Sequence, residues 1–214
     1  MNLEKLKRLQ LEIAKRVELK DKYSIDEVKY VIGVDQAFLK DYVISAVVRM
    51  KYPSLEIDEK AYTVERVEFP YIPTFLMFRE GDPAVKAVKK VLKDKSVIVV
   101  DGSGIAHPRR CGLATYIAVK TNEPSIGVTK KKLFGEVKLE KGLFVLKDGD
   151  ETIGYEIRFK RFKPIYVSPG SYISLNTTLQ IIKSCLRGHR LPEPIREAHN
   201  FANEIKRKLS SIIV

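Results

Sequence analysis

The sequence predicts an α/β domain built on a mixed sheet, with three antiparallel strands followed by parallel strands and flanked by helices. Two observations lead there. Three runs rich in Val, Ile and Tyr, at 29–38, 43–52 and 60–69, follow one another through short, turn-like links, which antiparallel strands allow and parallel strands do not. After Pro70 the pattern changes to helix-period segments alternating with short apolar runs, the rhythm of strands joined by helices.

The elements can be justified in order. Leu6, Leu9, Ile13 and Val17 recur at helical spacing among Lys and Arg, and predict an amphipathic helix over 3–20. The three strands come next. Asp82-Pro83 has the form of an N-cap followed by proline in the first turn, with Val85, Val88 and Leu92 as the stripe, so a helix is expected over 83–93. Ser96-Val97-Ile98-Val99-Val100-Asp101 is a continuous apolar run that suits a central strand covered on both faces. A helix at 112–120, a strand at 124–128, a hairpin-forming pair at 137–146 and 152–159, and a short strand at 164–167 follow. Helices at 174–187 and 193–209 close the chain. No repeat, low-complexity tract or linker interrupts it, so one domain is expected over residues 1–214. This element order is that of the ribonuclease-H-like fold.

Composition narrows the function. Hydrophobic residues at 44% and charged residues at 31% exclude a disordered chain. Lys and Arg number 39 against 27 Asp and Glu, a net +12 that favours a polyanionic partner, because neutralised phosphates release their counterions. No signal peptide or long apolar run is visible, so a cytoplasmic protein with no membrane partner is expected. Cys111 and Cys185 are far apart and in no CxxC pair, which argues against a disulfide framework or a zinc site.

Two acids point to chemistry. Asp35 ends the apolar strand Val31-Ile32-Gly33-Val34, and Asp101 ends Val97-Ile98-Val99-Val100. A carboxylate at the end of an apolar strand is costly unless something positive compensates it. Either alone could be a turn or a cap; together, on neighbouring strands, they suit a hard divalent cation such as magnesium. Glu80, in Phe78-Arg79-Glu80-Gly81 before the expected helix, is either a solvated loop or first-turn acid, or a third carboxylate of that site or one that holds a metal-bound water. His199 is either an ordinary histidine or a group that orients a water or protonates a leaving oxygen. One lysine of Lys130, Lys131 and Lys132 can stabilise charge on a phosphate, against the plainer reading of a solvated run. In Ile105-Ala106-His107-Pro108-Arg109-Arg110 the arginines are candidate phosphate contacts, and Gly102, Gly104 and Gly112 admit a ligand close to the backbone. Pro70-Tyr71-Ile72-Pro73 is either a stiff connection with a buried Tyr or a rigid wedge that supports an unstacked nucleotide.

Seven blocks in order resemble the endonuclease V family of inosine-directed nicking nucleases: Gly33-Val34-Asp35, Pro70-Tyr71-Ile72-Pro73, Phe78-Arg79-Glu80, Val100-Asp101-Gly102 with Ala106-His107-Pro108-Arg109, Ile126-Gly127-Val128-Thr129-Lys130, Val167-Ser168-Pro169-Gly170, and Leu191-Pro192-Glu193-Pro194 with Arg196 and His199. The resemblance implies magnesium, with manganese as a substitute, on Asp35 and Asp101, with Glu80 completing the acidic cluster. It implies Lys130 and His199 at the phosphate and attacking water, and Tyr71 leading a wedge of residues 70–73. Leu76, Gly102, Gly112 and His107 would form the pocket for the flipped base. The implied reaction is hydrolysis of the second phosphodiester bond 3′ to a deaminated base in DNA, leaving a 3′-hydroxyl and a 5′-phosphate. Apart from the resemblance, no self-complementary patch is readable in the sequence, and a monomer is expected. Many members carry Gly where this chain has Thr74, which bears on the pocket's shape. Two rivals stand beside this: an endonuclease for inosine-containing RNA, and a non-catalytic nucleic-acid binder.

Overall fold

A computed structural model describes residues 2–211. In chain order the elements are α1 (Leu3–Ala14), β1 (Tyr30–Leu39), β2 (Tyr42–Lys51), β3 (Ile57–Arg66), α2 (Leu76–Val91), β4 (Ser96–Asp101), α3 (Leu113–Thr121) and β5 (Ser125–Thr129). Then come β6 (Glu136–Glu140), β7 (Leu143–Asp148), β8 (Glu151–Ile157), β9 (Ile165–Ser171), α4 (Leu175–Cys185) and α5 (Glu193–Ser210). The strands form one sheet in the order β3-β2-β1-β4-β5-β9-β8-β7-β6. Its first three strands are the expected antiparallel meander, and β1, β4 and β5 run parallel. Beyond β5 the sheet turns antiparallel again through β9 to β6.

The sheet separates two cores by the two-residue alternation of its strands. Val31, Val97, Val99, Ile126 and Val128 face α4 and α5, where they meet Ile181, Ile182, Ile195 and Ala198. Ile32, Val34, Ile98 and Val100 face the other way, against Val85 and Val88 of α2 and Leu113 and Ile117 of α3. Covering on both faces explains why β4 is apolar from Val97 to Val100, up to Asp101. Among the described residues, no helix is long and apolar enough to cross a membrane.

Three boundaries differ from expectation. α1 stops at Ala14, and Val17 packs instead beside Ile105, Leu146 and Ile153. α2 begins at Leu76, so Pro83 is inside the helix rather than at its start. Asp82 caps nothing there: its carboxylate accepts from the Tyr116 hydroxyl of α3. The stripe Met77, Gly81, Ala84, Val88 and Val91 continues at spacings of four and three straight through the proline, and it is this buried face that holds the helix together. The run 137–146 is not one strand but the hairpin β6–β7. Its two-residue turn, Lys141-Gly142, has φ values of 48° and 78°, the left-handed pair that such turns require.

Candidate active site

The parallel pairing of β1, β4 and β5 stops at one level. The β1–β4 register ends on Val34 and Val100, so Asp35 and Asp101 sit side by side just past it. Asp101 ends β4, but Asp35 does not end its strand, because β1 runs on to Leu39 beside β2. β5 pairs Val128 with Asp101 two residues before Lys130. Carboxyl ends of parallel strands are where open α/β sheets place their ligands. By alternation, Asp35 and Asp101 lie on the α5 face, with Val31, Val97 and Val99.

α5 brings the histidine, and Gly33 admits α5. A Cβ on Gly33 would sit 1.8 Å from the Pro194 carbonyl oxygen, so only glycine lets the helix's first turn touch β1. A little over one turn further on, His199 Nδ1 lies 2.7 Å from Asp35 Oδ2, while Asp35 Oδ1 accepts from the Gln36 N–H at 2.8 Å. The other ring nitrogen, Nε2, is 3.1 Å from Asn203 Nδ2. Since that amide nitrogen can only donate, Nε2 accepts and the proton sits on Nδ1, facing Asp35. Lys130 Nζ stands 3.6 Å from Asp101 Oδ2, which singles it out from Lys131 and Lys132. Arg190 holds the Lys130 carbonyl at 2.8 Å and also binds the carbonyls of Lys163 and Pro164. Arg190 was not visible as a positioning group in the sequence.

Glu80 lies inside α2, not in a loop before a helix, and is buried. Burial pushes its carboxyl up to about 7 against the opposing charge of Arg79, and Asp35 and Asp101 add to the rise. Burial, then the Asp35 charge, pushes Asp101 up to about 6 against the pull of Lys130. Burial also raises Asp35, with the His199 hydrogen bond working the other way. Glu80 therefore senses both aspartates as like charges and Asp101 senses Asp35, with too little cationic compensation from the chain itself. Among the described residues, no three His, Cys, Asp or Glu side chains converge as a ready-made metal cage. Magnesium does not need one: it commonly takes one or two carboxylates and keeps waters. Oxygen donors with an excess of negative charge fit such an ion.

Beside this cluster is a small cavity of about 70 Å³, lined by Tyr71, Pro73, Thr74, Leu76, Ser103, His107 and Gly112 among others. It starts two residues after Asp101 and one helical turn before Glu80. Leu76, His107 and Gly112 are thus brought together as expected, but Gly102 is not in the lining. Its N–H donates to the Val128 carbonyl and Leu113 fills the space beside it, so Ser103 takes that place. Tyr71 is 65% exposed, which rules out the buried-Tyr reading of the tetrapeptide. His107 is buried with both nitrogens engaged, by the Thr74 carbonyl and the Arg109 N–H, and burial lowers it to about 4. Arg109 points inward, where its guanidinium bonds to Thr74 and Gln10. Leu133, also in the lining, escaped the sequence reading because it follows three lysines.

A sequence model of the family described as Endonuclease V matches residues 11–200. The Endonuclease V of Archaeoglobus fulgidus is 57% identical over 212 residues, 98% of this chain and 96% of the relative. The solved Endonuclease V of Bacillus subtilis superposes with a TM-score of 0.88 at 27% identity, over 99% of this chain and 94% of that one. That of Ciona intestinalis, in complex with a 24mer DNA containing an inosine followed by a ribo-adenosine, gives 0.84 at 27% identity over 97% and 98%.

Proposed function

The chain belongs to the endonuclease V family, and from that premise we infer a DNA repair endonuclease that nicks the second phosphodiester bond 3′ to a deaminated base such as deoxyinosine. The observation that supports it best is the pairing where the parallel β1–β4 ladder stops: Asp35 with His199 and Asp101 with Lys130, beside a cavity and an exposed Tyr71. A pure binder gains nothing from buried acids where phosphates approach.

Asp35 and Asp101, with Glu80 behind them, would hold a divalent ion; membership of the family implies one, and magnesium, with manganese as substitute, is our reading. Bound there, the ion supplies positive charge at the scissile phosphate and makes water a better nucleophile. The chain's own groups do the rest. His199 is held by Asp35 in the tautomer whose Nε2 accepts; a water that displaces Asn203 from Nε2 can give its proton there. Lys130, whose side chain is part exposed beside Asp101, can offset charge that builds on the phosphate oxygens. Water adds to phosphorus as the P–O3′ bond breaks, its proton passing to His199 Nε2, and the leaving O3′ takes a proton from solvent, which leaves a 3′-hydroxyl and a 5′-phosphate. Tyr71 fills the stack, and the cavity receives the displaced base. All five catalytic candidates lie within one chain, and a monomer is our reading of the working unit.

The ends give a direct test. The nicked product reseals with a DNA ligase and no end repair; a product that cannot be resealed contradicts this chemistry. A second reading is kept by the ribo-adenosine in the Ciona complex: inosine-containing RNA, with the 2′-hydroxyl recognised at the site.

A further inference from the structure

One backbone carbonyl joins three distant parts of the chain. The Thr74 oxygen accepts from Gln10 Nε2 at 2.8 Å, His107 Nε2 at 2.9 Å and Arg109 Nη2 at 3.0 Å. The Thr74 hydroxyl accepts from the same Arg109 nitrogen at 2.7 Å. Arg109 Nε in turn donates to Gln10 Oε1, and its guanidinium lies 4.5 Å over the Phe75 ring. Gln10 Nε2 also reaches the Cys111 carbonyl at 3.4 Å.

Three features set this knot apart from ordinary loop bonding. Thr74 has φ +68°, a conformation a β-branched residue adopts only when its surroundings impose it. Gln10 is fully buried, and it is the one residue of α1 whose side chain is. A helix that merely covered a core would put an apolar group there; this one spends its buried position on a polar clamp. Every polar atom of the Gln10 amide is also satisfied, the condition under which a buried network fixes one geometry. The segments it ties, Pro73–Leu76 and His107–Gly112, are the two walls of the cavity, and the first continues directly from Tyr71.

We propose that Gln10 and Arg109 are positioning residues that, through Thr74, set the spacing between the Tyr71 wedge and the base cavity, and thereby the preference for a lesion-bearing strand. This rests on the endonuclease reading above. Neither residue lines the cavity or approaches the acids, so they act on discrimination, not on the cleavage step.

Gln10→Leu keeps the volume and removes the Gln10 contacts to the Thr74 carbonyl and to Arg109. Arg109→Lys keeps the charge and removes the fork, and serves if Gln10→Leu does not fold. Binding is measured with one-inosine and inosine-free duplexes in calcium, with thermal unfolding as a fold control. In either variant the ratio of the two affinities is expected to fall about tenfold through the inosine duplex alone. The chain has no Trp, so Tyr71→Trp adds a single reporter, and Gln10→Leu in that background is expected to lower its fluorescence anisotropy without any DNA. Unchanged anisotropy in a folded variant overturns the clamp whatever the enzyme cuts. Lower anisotropy with an unchanged affinity ratio overturns its link to discrimination. A wild-type chain that shows no inosine preference overturns the functional reading instead, and with it that link.

Discussion

Replacing Glu80 by Gln is expected to stabilise the metal-free protein at neutral pH and above while abolishing cleavage. Burial and the two neighbouring aspartates lift the Glu80 carboxyl from 4.5 to about 7. The residue is only 8% exposed, so solvent does little to screen the effect. At about 1.4 kcal/mol per pKa unit, ionised Glu80 costs the fold about 3 kcal/mol. Between pH 4.5 and 7 the native state keeps this proton while the unfolded chain has released it. Wild-type stability therefore falls as pH rises through that window, whereas Gln does not titrate. Urea unfolding in chelator should show the two proteins nearly equal at pH 4.5 and the variant ahead by about 3 kcal/mol at pH 8. Added magnesium then narrows the gap from the wild-type side, because an ion that binds only the native state stabilises it. Equal stabilities at pH 8 in chelator would refute the claim that Glu80 sits ionised at a cost in an acidic cluster.

Other perturbations follow from the same geometry. Asp35→Asn or Asp101→Asn is expected to lower the single-turnover rate by about a thousandfold, some 4 kcal/mol, with an unchanged circular dichroism spectrum; wild-type rates in either would end its role. Gly33→Ala drives a Cβ into the Pro194 carbonyl, so it is expected to cost about 1–3 kcal/mol in urea unfolding and to weaken cleavage by shifting His199; a neutral effect would contradict the close packing of α5. His107 is lowered to about 4 in the fold against an ordinary 6.5, so it favours the native state fully above 6.5, and that contribution disappears as pH falls towards 4. The His107→Gln variant should show a flatter stability profile across that interval, and an unchanged slope would count against a buried neutral ring. Tyr71→Ala is expected to weaken binding of inosine DNA by about 1–3 kcal/mol and of plain DNA far less; equal losses would remove the wedge.

How much of this was legible depended on periodicity. Asp35 and Asp101 stood out because each interrupts a fully apolar run, and their runs are central strands whose register sets the acids side by side. His199 and Lys130 were nameable, but their contacts were not, since 164 residues separate His199 from Asp35 and nothing local records the α5–β1 approach except Gly33. Glu80 was found and misplaced, because Asp82-Pro83 looks like a helix start when the stripe is not followed back to Met77. The Lys141-Gly142 turn was missed because a lone glycine after lysine is a weak turn signal. The clamp was invisible: Gln10 lies in an amphipathic helix where a polar residue reads as solvent-facing, and its partners are 64 and 99 residues away.

The most direct test of the central claim is a nicking assay on matched end-labelled strands, each with one inosine, prepared as DNA and as RNA, with magnesium and with chelator. The account predicts a magnesium-dependent nick in the DNA strand at the second phosphodiester bond 3′ to the inosine, and none in chelator. No nick in either strand, with binding intact, would contradict it and leave only a nucleic-acid binder.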